Sequence, residues 1–187
     1  MMLRSRESID LAGVAADMDF QELLDQRAGK DDFFRRSPQS PIPQEDQSAF
    51  EGLSYYEPTA DLVFTVPLDT VDPEPVQVGT TTGEERTYHR VATATVNIEG
   101  TDVTLGLYST GHPGLFLPFR DATSGKETYG AGRYLDVEPN GDGTVTLDFN
   151  DAYAPFCAYS DAYSCALPPY DNWLEVPIRA GERNAGD

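Results

Sequence analysis

From Leu62 to Asn150, apolar residues recur at every second position in short runs broken by turn residues, which confines this part of the chain to half-buried β-strands. Leu62, Phe64 and Val66 alternate with Val63 and Thr65, and Val76 and Val78 repeat the period. Ala92, Ala94, Val96 and Ile98 share one face, with Thr93, Thr95, Asn97 and Glu99 on the other. After Glu99-Gly100-Thr101-Asp102 the alternation resumes at Val103, Leu105 and Leu107, so this stretch is a hairpin. A strand over 115–121 then reaches a turn at Thr123-Ser124-Gly125-Lys126, residues 127–137 run back, and Asn140-Gly141-Asp142-Gly143 turns into Val145, Leu147 and Phe149. Strands at intervals of about ten residues predict a mainly β fold, either an antiparallel barrel or a sandwich-like meander. No internal repeat is present.

The N-terminal part follows a different period. Residues 1–16 have no clear pattern and read as a mobile lead-in. From Asp17 or Asp19, both plausible N-caps, apolar positions recur at Phe20, Leu23, Leu24, Arg27 through its stem, Phe33 and Phe34. This predicts one amphipathic helix over about 17–36, weakest at Gly29 and ended by Ser37-Pro38, Ser40-Pro41 and Pro43. The aromatic stretch 154–171 reads as an ordered crossover loop, and 173–179 as a last strand. At 187 residues the length fits one domain, 17–183, with a short tail at 184–187.

The formal net charge is −19, from 32 acidic and 13 basic residues, and Lys30 and Lys126 are the only lysines. Dense carboxylates repel one another, and salt weakens that repulsion by shortening the Debye length to about 3 Å near 1 M. An acidic skin that keeps arginine and drops lysine points to a salt-rich cytoplasm. Acidic residues run through every quarter of the chain, so they read as a general solvated skin; a patch imitating DNA is the sharper alternative. Phosphate contacts need clustered cations, which excludes a nucleic-acid partner. No apolar run approaches bilayer length, and the opening segment has charges where a signal peptide needs an apolar core, so a soluble cytoplasmic protein is expected.

The C-terminal third concentrates the polar candidates. Arg120, Asp121, Glu127, Arg133, Asp136, Asp148 and Asn150 lie on successive predicted strands, and Asp148 and Asn150 share the face opposite Val145, Leu147 and Phe149. If that face lines a hollow, its arginines can hold an anionic or polyhydroxylated small molecule. In that arrangement Arg120 and Arg133 bind the anion, Asp148, Asn150 and Glu127 orient it, and Tyr153, Tyr159 and Tyr163 roof the site. Asn172 can tie neighbouring backbone groups, and Glu182 can fold back toward an arginine. The alternative is a structural ion-pair network in a non-catalytic interaction module that uses its aromatic loop. Cys157 and Cys165 are separated by seven residues, which matches no zinc or thioredoxin-type spacing. They suit buried thiols or a disulfide across the loop better than a metal, and no metal is expected. Gly125-Lys126 lacks the rest of a phosphate loop, and Leu147 stands where a calcium loop needs glutamate. Ser109 near His112 lacks a triad partner. No cofactor, reaction or oligomeric state is indicated.

Several sequence words carry a resemblance. Gly132-Arg133-Tyr134-Leu135-Asp136, then Asp148-Phe149-Asn150 with Tyr153, Cys157, Cys165, Leu167-Pro168-Pro169, Asn172 and Ala180-Gly181-Glu182 resemble the signature of the family catalogued as domain of unknown function 1684. An N-terminal helix ending in Ser-Pro, followed by Gly52-Leu53-Ser54-Tyr55, is similar to that family's start. The chain departs from the family at Ala154-Pro155-Phe156 and at Cys165-Ala166-Leu167, where the family usually has Pro-Pro and Cys-Pro-Leu. The resemblance implies that Arg120-Asp121, Glu127-Thr128-Tyr129 and the words above belong to one unit, and it implies no activity. From the charge balance, dialysis into low-salt buffer should lower the melting temperature; an unchanged or higher value, read by circular dichroism, would contradict salt adaptation.

Overall fold

A computed structural model describes residues 19–184. The expected lead-in at 1–16, the Asp17 cap and residues 185–187 of the tail lie outside that range. Helix α1 spans Gln21–Arg36, and Asp19 Oδ1 accepts the Gln21 N–H at 2.9 Å just before it. It stops at Ser37, whose ψ of 138° is the extended conformation imposed by the following proline. Phe34 anchors it, with the rings of Tyr159, Phe50 and Phe156 at 5.1, 5.8 and 6.0 Å. Leu23, Arg27, Lys30 and Phe34, spaced by four, three and four, face the body of the protein, so the inward stripe carries two cations. Leu24 and Phe33 stay exposed.

Among the described residues, seven strands form two antiparallel sheets. Strands β2 (Asp69–Gly79), β3 (Glu85–Ile98), β4 (Thr101–Ser109), β5 (Leu115–Phe119) and β6 (Arg133–Val137) make a five-stranded meander in chain order. Strand β1 (Val63–Pro67) pairs with β7 (Thr144–Asp148) in a separate two-stranded sheet. The arrangement is sandwich-like, and the barrel alternative falls because the two sheets do not close on each other. The β3–β4 hairpin turns on Glu99 and Gly100, with φ of 50° and 85°, the doubly left-handed turn that matches strand twist.

Alternation decides the core. Ala92, Ala94, Val96 and Ile98 from β3 meet Leu105 and Leu107 from β4, Leu117 and Phe119 from β5, and Val145, Leu147 and Phe149 from the β7 region. Strands β4 and β5 pair only at Tyr108 and Phe116. Asn172 stitches the gap: its Oδ1 accepts the Gly106 N–H at 2.8 Å, and its Nδ2 donates to the carbonyls of Gly106 and Pro118 at 2.9 and 2.8 Å.

Two predicted strands are shorter or absent. The turn expected at 123–126 continues through 127–132, where strand was expected, because the Thr123 carbonyl accepts from Lys126, Glu127 and Thr128. The expected last strand at 173–179 does not form; Trp173 bridges Arg120, the Val176 carbonyl accepts from the Ala122 N–H, and side chains hold the remainder. Arg133, 1 % exposed, donates Nη1 to the carbonyls of Ala180 and Glu182 at 2.6 and 3.1 Å and Nη2 to that of Ile178 at 2.7 Å. Asp121 lies 3.7 Å from the same guanidinium and accepts the Ile178 N–H at 2.6 Å. Gly181, at φ 75°, completes the clamp, since a Cβ there would stand 2.4 Å from the Ala152 carbonyl. Arg133→Met leaves Asp121 buried without its cation and three carbonyls without donors. Urea denaturation should show a loss of about 3–5 kcal/mol; a loss below about 1 kcal/mol would contradict the clamp.

Candidate functional site

The clamped C-terminal segment brings Glu182 beneath α1. Glu182 bridges Tyr55 through backbone, and its Oε2 accepts from Lys30 Nζ at 2.8 Å, with the carboxylate side chain wholly buried. Lys30 Nζ also stands 5.1 Å from the centre of the Tyr153 ring. One turn earlier, Arg27 donates to the carbonyls of Tyr56 and Asn150 at 3.1 and 3.2 Å and lies 4.3 Å over the Tyr55 ring. Between this face of α1 and the Asn150–Tyr153 turn is a cavity of about 320 Å³. Arg27, Lys30, Tyr55, Asp136, Asp151 and Tyr153 supply its charged and phenolic groups, with Leu23, Gln26, Asn150 and Ala152 completing the wall.

Its electrostatics follow from burial. Desolvation pushes the Glu182 carboxyl above its usual range, and Lys30 pulls it back. Asp151 is also raised, first by burial and then by Asp148. The Tyr55 phenol is pushed far up by burial and by Glu182, and Arg27 is lowered by burial. Three buried polar atoms of this group have no hydrogen-bond partner: Arg27 Nε, Tyr55 Oη and Glu182 Oε1. Such atoms are rare in folded proteins because each forfeits its hydration without compensation.

The eleven residues expected to share a ligand divide among different tasks. Asn150, Tyr153 and Glu182 belong to the site just described. Asn150 is fully occupied within it, bonding Thr59 on both faces at 2.9 and 2.8 Å and Asp148 at 2.8 Å, while Tyr153 donates to Asp136 at 2.8 Å. Asp148 caps that turn. Arg133 and Asp121 form the buried clamp, and Asn172 is the stitch between β4 and β5. Glu127 accepts from Tyr56 at 2.8 Å and is chelated by Arg179, which holds its carboxyl below the usual range. Arg120 lies 4.5 Å over the Trp173 ring on the outer surface. Tyr159 and Tyr163 pack edge-on against Phe34 and Phe156, at 5.1 and 5.3 Å, in the seat of the helix. Cys157 and Cys165 are free and partly exposed, and burial together with a hydrogen bond to Cys157 pushes the Cys165 thiol up to about 11. Among the described residues no cluster of three or more His, Cys, Asp or Glu is placed to hold a metal ion.

Residues 48–183 match the family described as "Protein of unknown function (DUF1684)". The chain belongs to that family. One solved relative, an uncharacterised protein of Haloarcula marismortui determined by solution NMR, is 40 % identical, with a TM-score of 0.68 over 89 % of this chain and 94 % of that one. No curated protein matches. Within this DUF1684 chain, Arg27, Lys30, Tyr55 and Asp151 are polar site residues that the C-terminal words do not contain. The signal for the two cations is their place on the inward stripe of α1.

Because Glu182 and Asp151 hold protons more tightly folded than unfolded, their contribution to stability is full at low pH. It is lost as pH rises from the ordinary carboxylate value of about 4 through the raised folded values. Glu182→Gln should flatten this decline in urea denaturation as pH rises above about 4. Identical slopes for both proteins would overturn the assignment.

Proposed function

We propose that this DUF1684 protein is a cytoplasmic small-molecule binder of a salt-rich cell, holding a compact hydroxylated or carboxylated metabolite beneath α1. The observation that carries the reading is a pair of unpartnered buried polar atoms, Arg27 Nε and Tyr55 Oη, on residues that line one cavity, with a third, Glu182 Oε1, on the carboxylate that pairs with its lining residue Lys30. Their chemistry is complementary to a ligand with both kinds of hydrogen-bonding group. Arg27 donates, and the Tyr55 hydroxyl donates or accepts. Asp136 and Asp151 add acceptors for hydroxyl groups, and the cavity volume of about 320 Å³ suits a compact ligand. Arg27 and Lys30 are the cations of this wall, Lys30 already paired with Glu182, and Asp136 and Asp151 are its carboxylates, so a ligand bearing hydroxyl groups meets donors and acceptors together. No described helix is long and apolar enough to cross a membrane, which agrees with this reading.

The test is titration of ¹⁵N-labelled protein with tartrate, citrate, glycerate, glycerol and myo-inositol. At least one probe should give saturable shifts at the amides of Tyr55, Asn150 and Tyr153. Arg27→Met and Tyr55→Phe should each weaken that probe by about tenfold or more, the worth of one hydrogen bond to a charged or buried group. No saturable shift from any probe, or binding unchanged in both variants, overturns the reading.

A further inference from the structure

A second cavity, of about 720 Å³, shares the Tyr55 wall with the first and opens toward the β3–β4 turn. The segment between them is fixed from both sides. Tyr56 N–H donates to the Gly181 carbonyl at 2.9 Å, and Arg183 N–H to that of Ser54 at 2.8 Å.

The two arginines of this cavity differ. Arg179 is chelated by Glu127 through Nε at 3.1 Å and Nη2 at 3.0 Å, so its charge already has an owner. Glu127 also takes the Tyr56 hydroxyl, and the Tyr56 phenol is pushed up to about 12 by burial and by that bond. Arg183 lies with Cζ 4.9 Å above the Tyr56 ring, and its Nε is buried with no hydrogen-bond partner. Among the described residues no carboxylate lies within ion-pair distance of it. A guanidinium whose face is fixed on an aromatic ring and whose Nη groups have no partner among the described residues can take a carboxylate through those groups.

The remaining wall is not cationic. Glu57, Asp61 and Glu99 line the same cavity as exposed carboxylates, and Leu62, Ile98 and Pro177 supply apolar surface. A simple anion satisfies Arg183 but meets three negative groups. A simple amine satisfies the carboxylates and leaves Arg183 unused. A molecule carrying both charges and an apolar body satisfies all three parts of the lining, and the volume accommodates one.

We infer that this cavity binds an apolar amino acid as its zwitterion, with the carboxylate on Arg183, the ammonium among Glu57, Asp61 and Glu99, and the side chain on Leu62, Ile98 and Pro177. The inference stands on residues other than Arg27, Lys30 and Glu182, so it survives or fails independently of the site beneath α1.

The experiment titrates ¹⁵N-labelled full-length protein with L-phenylalanine, 3-phenylpropionate and 2-phenylethylamine in parallel. Phenylalanine should produce saturable shifts at the amides of Leu62, Ile98 and Arg183, with those of Asn150 and Tyr153 unmoved. It should bind at least about tenfold more tightly than either singly charged analogue, the worth of one charge-assisted hydrogen bond. Arg183→Gln should reduce phenylalanine to the level of phenylethylamine. A triple variant, Glu57→Gln with Asp61→Asn and Glu99→Gln, changes only exposed side chains and should reduce it to the level of phenylpropionate, which keeps the test decisive if Arg183→Gln melts early. Absence of saturable binding, equal affinity for a singly charged analogue, or phenylalanine binding unchanged in the triple variant overturns the proposal.

Discussion

A guanidinium leaves water only when oxygen atoms replace its hydration, and the burial of Arg133 imposes that condition on the whole C-terminal segment. Three of the replacing oxygens are carbonyls of Ile178, Ala180 and Glu182, so the segment runs past the start of β6 as an irregular strap. It cannot pair as a strand there because its carbonyls point at an arginine. Asp121 holds the strap from the other side through the Ile178 N–H, and Thr123 donates its hydroxyl to the same carboxylate at 2.8 Å.

The candidate site is a consequence of this clamp. The strap delivers Glu182 to the underside of α1, where Lys30 meets it across 152 positions of sequence. The helix is otherwise a poor candidate for docking, since Phe34 is its only fully buried side chain. Lys30 with Glu182, Arg27 with two backbone carbonyls, and the aromatic seat around Phe34 together hold it on the sheets. The smaller cavity lies on the polar side of this attachment, lined by Leu23, Gln26, Arg27 and Lys30 and away from the aromatic seat. The Tyr55 segment, laced to the same strap, forms the partition between the smaller and larger cavities.

The legible parts of the chain are those in which neighbours along the sequence set the outcome. The hairpin from Ala92 to Leu107, the burial of Val145 and Leu147, and the stop of α1 at Ser37 each follow from local period or backbone restriction. The alternation misleads at Asn150, which is buried because the chain has already left β7 for a tight turn capped by Asp148. It misleads also at 127–132 and 173–179, where turns and a buried arginine replace ladder bonds. Asn150, Tyr153 and Glu182 could be marked as polar residues of interest, yet nothing nearby in sequence says that α1 covers them. Arg27 reads from the sequence as a greasy stem on an amphipathic helix, and only its inward position shows that the charged end is used too.

The sequence by itself determined the strand period, the principal turns, the single helix, the family and the acidic character of the surface. These rest on side-chain alternation, on the φ and ψ limits of glycine and proline, and on composition, all of which act within a few residues or need no geometry. Which cation each carboxylate meets was decided only by the tertiary structure. Arg133 could have faced solvent or a ligand with no change in local pattern, and its burial against a strap about 45 residues later depends on how the two sheets and the C-terminal segment close together. Desolvation acts on whatever groups the folded chain encloses, so the sites it creates are properties of the assembled fold.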